Sequence, residues 1–233
     1  MLHHYKNKKG FTLAEVLITI GIIGVVAAMT MPNLIASYRA HETAAKLNKF
    51  YSVISNAYIR AKEDNGDISS WNLVYHEDST NDEEDILFYL LPYLNVVKNC
   101  GRNLRGCAPK NIAYAPLGST EFGTNIDMSP FYGKAILSDG SMISSLTFGN
   151  SCTNSGDDKC AIIRIDVNGV ANPNRLGVDL FSFIVYKDKI VPGGIRDALN
   201  SDYYINRGDL CTAYVMYEKK MDYLKDKRCE PYK

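Results

Sequence analysis

Several signatures are missing from this 233-residue chain. It has no net charge, since 26 Lys and Arg balance 26 Asp and Glu. That removes any whole-chain electrostatic case for nucleic-acid binding. No HExxH, nucleophile elbow, P-loop or glycine-rich nucleotide fingerprint occurs. The four histidines are His3 and His4 near the N-terminus, His41, and His76 in a polar stretch. No enzyme is therefore expected. There is no CxxC pair, which argues against a zinc ribbon or a thioredoxin-type redox motif. No internal repeat or low-complexity linker is visible. With 46% hydrophobic and 22% charged residues the chain is globular, not disordered.

What is present is unevenly placed. All six cysteines, Cys100, Cys107, Cys152, Cys160, Cys211 and Cys229, follow residue 99. An even number in the distal part suits an oxidising compartment. Fifteen pairings are possible, and proximity in sequence favours Cys100–Cys107, Cys152–Cys160 and Cys211–Cys229. Lys6, Lys8 and Lys9 are the only charges in the first ten residues. Residues 11–233 then hold 23 basic and 26 acidic residues, a formal charge of 23 − 26 = −3.

Phe11 to Met31, FTLAEVLITIGIIGVVAAMTM, is apolar apart from one charge, Glu15. As a helix rising about 1.5 Å per residue, it reaches roughly the thickness of a bilayer's hydrocarbon. Lysines before it keep the N-terminus cytoplasmic and send the rest of the chain outside. A removable secretory signal cut near Ala28 would lose helical character there. Here the helical pattern continues. A carboxylate in an apolar span costs on the order of a few kcal/mol unless it is paired or reaches the interface.

Lys8-Lys9-Gly10-Phe11-Thr12-Leu13-Ala14-Glu15 followed by an apolar helix resembles the N-terminus of type IV pilins and type II secretion pseudopilins. The resemblance implies a prepilin peptidase cutting between Gly10 and Phe11 and N-methylating Phe11. It implies that Glu15 pairs with the Phe11 amine of a neighbouring subunit during assembly. It also implies a proline, here Pro32, that allows the helix to unwind. The expected partners are the peptidase, the cytoplasmic membrane, and other pilin or pseudopilin subunits in a homo- or heteropolymer. Nucleic acid is not expected. Gly21, Gly24 and Ala28 supply small residues for close helix packing, and Pro32 removes one backbone donor and should kink or melt the helix. The implied location is the inner membrane, single-pass, with an exported head, and then an extracytoplasmic filament. The alternative is a single-pass, membrane-anchored binding protein, a DNA-uptake pilin among them, that never polymerises.

The organisation follows: a leader at 1–10, a membrane helix at 11–31, an amphipathic continuation at 32–65 and a head at 66–233. Leu47, Tyr51, Ile54, Tyr58 and Ala61, with Phe50 and Ala57 beside them, form the apolar stripe of the continuation. Asn65-Gly66 ends it. Asp82-Glu83-Glu84-Asp85 reads as the charged start of a short helix reaching Pro92 to Asn95. Strands are expected at 135–137, 142–148, 161–167, 180–186 and 190–191, with hairpins around Ser138 to Ser141 and Lys187 to Lys189. A terminal helix is expected within 209–226. The fold class is α+β, a long helical spine packed on an antiparallel sheet, as in pilins.

Two stretches of the head invite binding readings. Asp166, Asn168 and Asp179 lie in a turn-rich segment whose oxygens could serve calcium, or simply build turns. No other cofactor is expected. Lys98, Arg102, Arg105 and Lys110 make a basic stretch that reads as a solvated loop or as a phosphate contact.

Overall fold

The computed structural model describes residues 10–79, 81–102, 107, 114–118, 133–152, 158–195 and 207–232. One helix, α1, runs over Leu13–Asn65. Its residues fall into two compact units, one ending at Arg39 and one beginning at Ala40. Each is described by itself.

In the first unit, nearly every side chain from Gly10 to Arg39 is exposed. Pro32 lies inside the helix and does not end it. Of the kink or melting expected there, no melted turn is present, since the helix continues through Pro32. Proline removes one donor and crowds one carbonyl, and the flanking turns continue the helix.

The second unit is an α+β head. Strands β1 (Val96–Asn99), β2 (Gly133–Leu137), β3 (Met142–Thr147), β4 (Lys159–Asp166), β5 (Leu180–Tyr186) and β6 (Ile190–Pro192) form one sheet. Their order in the sheet is their order in the chain, and every pairing is antiparallel. This meander follows from the short turns between β2 and β3 and between β5 and β6. The strands expected from alternating and β-branched residues lie where anticipated. β1 was not anticipated. It has four residues, sits at the sheet edge, and carries an irregularity between Val96 and Lys98. Such a strand has no pattern to read.

The stripe on α1 packs on the sheet. Leu47, Phe50, Ile54, Ala57, Tyr58 and Ala61 are buried, and Phe183 of β5 meets Phe50 and Tyr51 at ring separations of 5.3 and 5.9 Å. Trp71 closes one end, stacked on Tyr89 at 4.5 Å and edge-on to Tyr58 at 5.9 Å. Tyrosine hydroxyls also reach backbone carbonyls near the β6 edge. Tyr51 donates to Ile190 O at 3.1 Å, and Tyr58 donates to Tyr186 O at 2.9 Å and Lys187 O at 3.0 Å. These bonds tie the helix to the β5–β6 hairpin. Burial, with Asp67 and Asp188 adding to it, pushes the Tyr58 phenol up and keeps it a donor.

The opposite face of the sheet is covered too, which strand periodicity did not announce. Lys134, Ser144, Arg164 and Ser182 stand in register across β2 to β5, and all are buried. Asp209 accepts from Arg164 Nη2 at 3.4 Å, from the Ser182 hydroxyl at 3.1 Å and from Arg207 Nε at 3.1 Å. Tyr114, Met142, Leu176 and Leu180 form a small apolar cluster beside this row.

Helix α2 (Ile86–Leu90) is shorter than expected and passes into a tight turn over Leu91–Tyr93. Asp85 caps it and is fully enclosed. It accepts from Leu87 N–H at 2.8 Å, from the Thr147 hydroxyl at 3.3 Å and from the Ser145 hydroxyl. Burial pushes its carboxyl up. Helix α3 (Cys211–Glu218) is also shorter than the expected terminal helix. Lys219 adopts a left-handed conformation, φ 55°, and ends it. The chain must turn there so that Cys229 can return to Cys211 and Tyr232 can pair with Ile195. All three disulfides join neighbours in sequence: Cys100–Cys107, Cys152–Cys160 and Cys211–Cys229.

Candidate processing and assembly site

The candidate site is the start of α1. Gly10, Phe11 and Thr12 precede the helix in an irregular conformation, and Phe11 is 89% exposed. An unstructured, open backbone is what a protease needs at a scissile bond. Glycine before that bond adds no side chain to obstruct it.

Glu15 sits in the first turn. Its Oε2 accepts from both the N–H and the hydroxyl of Thr12 at 2.8 Å, while Glu15 N–H donates to Thr12 Oγ1 at 3.2 Å. This is a reciprocal capping box, in which each residue satisfies an orphan group of the other. Thr12 was not singled out from the sequence, although Thr-x-x-Glu before an apolar run is the signature of such a box. The carboxylate is thus held at the very start of the apolar span. A cation arriving beside Phe11 would meet an oriented acceptor.

From Val16 to Met31 the helix carries no charged side chain. It is long and apolar enough to cross a membrane, and none of that apolar window is buried. A methyl group added at Gly21 or Gly24 would meet nothing within 4 Å. Among the described residues nothing packs against these glycines. Ala28 is exposed.

The other residues singled out from the sequence are placed differently. Asp166 accepts from the Tyr114 hydroxyl at 2.6 Å and from Asn168 N–H at 3.1 Å. Asp179 accepts from Asn174 N–H at 2.7 Å and Arg175 N–H at 2.6 Å, and burial pushes its carboxyl up. The Asn168 side-chain amide donates to Asn172 O at 3.3 Å. These hydrogen bonds tie down the turn. Among the described residues no group of three His, Cys, Asp or Glu could hold a metal ion.

Of the basic stretch, Arg105 and Lys110 lie outside the described residues. Lys98 is exposed, but Arg102 is buried and donates through Nη2 to His76 O at 2.8 Å. His76 is buried against Phe148, with Nδ1 at 3.2 Å from Thr147 O. Burial lowers its pKa, so the neutral ring is favoured.

Residues 33–208 match a family described as of unknown function, DUF6613. The chain belongs to that family. Residues 5–31 match the prokaryotic N-terminal methylation motif, so the prepilin-type start is present. Over 62 residues the chain is 42% identical to the type IV wide pilus major component PilA4 of Thermus thermophilus, covering 23% of this chain and 47% of that protein. The chain thus spans less than half the length of this relative. No solved structure matches the chain. The motif and the relative together support a type IV pilin N-terminus joined to the DUF6613 head.

Proposed function

We propose that this chain is a prepilin-like structural subunit that is processed and then assembled into a type IV pilus or a type II secretion pseudopilus. Prepilin peptidase cuts between Gly10 and Phe11 and methylates Phe11. Residues 11–31 cross the cytoplasmic membrane with the N-terminus inside, residues 32–65 continue the helix, and residues 66–233 are exported. Other pilin or pseudopilin subunits are its partners. Its work is mechanical, not catalytic.

One observation carries this reading. A helix of exposed apolar residues, opened by a capped carboxylate, follows a glycine–phenylalanine bond, and none of its apolar window is buried among the described residues. Cleavage at that bond would create an amine four residues before Glu15. On a neighbouring helix that amine can neutralise the carboxylate and remove much of the cost of holding it in hydrocarbon. Gly21, Gly24 and Ala28 leave room for close approach of such helices. Pro32 marks where the helix would yield on assembly.

Mass spectrometry of the mature N-terminus tests the proposal. An N-methylated Phe11 is expected. A chain that still begins at Met1 would instead favour the membrane-anchored binding protein.

A further inference from the structure

The residues that follow β1 are pressed into the head by a set of close contacts. Gly101 N–H donates to Asn99 Oδ1 at 2.9 Å, and Arg102 N–H donates to Asp82 Oδ1 at 2.9 Å. Gly101 adopts φ 57°, and a Cβ there would lie 2.5 Å from Asp82 Oδ2. Only glycine suits that approach. The Arg102 side chain is carried inward and is 5% exposed. Its Nη2 donates to His76 O at 2.8 Å, and its Nη1 stands 4.0 Å from Asp85 Oδ2.

This seat satisfies the guanidinium poorly. Nη1 has no hydrogen-bond partner among the described residues. Asp85 already accepts from Leu87 N–H, from Gly133 N–H and from the hydroxyls of Ser145 and Thr147. A buried cation with an unmade hydrogen bond opposes its own burial. The Cys100–Cys107 disulfide closes the short loop in which Arg102 lies. A closed loop gains less conformational freedom by leaving its seat than an open one does. Cys107 is also the most open of the six cysteines, 8% exposed against 3% for Cys229 and 0% for the other four. Thiol attack on a disulfide depends on access to the sulfur, so this bridge is the one a reductant reaches first.

We propose that the Cys100–Cys107 bridge is a redox-sensitive latch that keeps Arg102 seated between His76 and Asp85, and that a dithiol opens it ahead of the other two bridges. One thiolate of the dithiol attacks Cys107 Sγ and breaks the S–S bond. Its second thiol then closes on the first, and the reductant leaves as a cyclic disulfide. Two electrons and two protons pass to the protein, so Cys100 and Cys107 become thiols. The guanidinium then withdraws, and Asp85 loses the Arg102 charge beside it. The four hydrogen bonds to Asp85 come from α2, β2 and β3 and stay in place, so the change is local to the strap after β1. The latch itself does not depend on the filament role. Only its timing rests on the export proposed above, since the bridge would then close after the head has left the reducing side of the membrane.

The test uses the full-length chain in neutral detergent, titrated with dithiothreitol. Thiols freed at each step are alkylated and located by peptide mass spectrometry. Arginine access is read in parallel with phenylglyoxal, with the exposed Arg60 as internal standard. Cys100 and Cys107 should be alkylated at lower reductant than Cys152, Cys160, Cys211 and Cys229. Arg102 modification should rise about tenfold or more in that same step, a change equivalent to about 1.4 kcal/mol. The Cys100→Ser/Cys107→Ser variant should show the raised Arg102 reactivity with no reductant and still melt cooperatively. If that variant does not fold, the titration of the wild-type chain decides alone. Arg102 reactivity unchanged by the opening of its bridge would overturn the proposal. So would opening of either other bridge at equal or lower reductant. N-terminal processing is read separately by mass spectrometry, so failure here is distinguishable from failure of the subunit role.

Discussion

Residues 10–39 and residues 40–232 solve the same problem in opposite ways. Both are rich in apolar side chains. The head buries its own: Leu47, Ile54, Trp71 and Phe183 are all enclosed by other parts of the same unit. The N-terminal segment buries almost none, and its apolar residues from Leu13 to Ile35 stand exposed along a helix held by local bonds alone. Water cannot be the solvent for such a surface. A stretch that satisfies its backbone but not its side chains needs a lipid or protein partner. The contrast therefore separates a part that buries its own apolar surface from a part that leaves it exposed.

That separation can be broken by experiment. The largest effect should come from Glu15→Ala. It removes the carboxylate from the apolar span. Incorporation into sheared filaments should drop by about tenfold or more, given a pairing worth a few kcal/mol. The head's thermal melt should not move. Undiminished incorporation would reject the assembly role. The converse change is Phe183→Ala, which leaves a cavity under Phe50 and Tyr51. It should cost the head about 3–5 kcal/mol in denaturant unfolding and leave cleavage after Gly10 intact. If both variants failed at both readouts, the two parts would not be energetically separate.

A smaller effect is expected from opening Cys211–Cys229. Its ends are 18 residues apart, and loops of that size typically give about 2–4 kcal/mol. Reduction should lower the melting temperature of the head and free the tail at Tyr232, as limited proteolysis would report. The smallest effect concerns Tyr214. Its hydrogen bond to Asp222 pushes the phenol up to about 12. The folded-state pKa lies above the unfolded one, so this bond's contribution is full below about pH 10. It is lost as pH rises from there toward 12. Ultraviolet phenolate titration should show one late-titrating tyrosine fewer in Tyr214→Phe. An unchanged titration curve would rule out the tyrosine–aspartate pair.

The two regions also differ in how far they can be read. Lys8 to Ile18 could be interpreted residue by residue because every relation in it is local. Glycine precedes phenylalanine, Glu15 lies one turn into the helix, and the apolar run is continuous. Even Thr12, which was overlooked, is recoverable from its spacing to Glu15. The α1 stripe and the hairpins at Ser138 to Ser141 and Lys187 to Lys189 were legible for the same reason, since period and turn chemistry are properties of neighbours. Arg102 and His76 resisted. A polar residue in a polar stretch looks exposed, and only packing against Phe148 and Asp85 shows otherwise. The terminal helix was read too long because Lys219 gives no local stop signal.

By itself, then, the sequence determined the helix, its apolar half, the stripe on its second half and five of the six strands. Each depends on contacts within a few residues. Only the tertiary structure decided that the sheet is covered on both faces, that Asp85 and Asp209 are enclosed with serine, threonine and arginine partners, and that the carboxylates of 166 and 179 serve a turn. Those outcomes depend on groups far apart in sequence being brought together, where burial makes an unpaired charge costly and forces each one to find a partner.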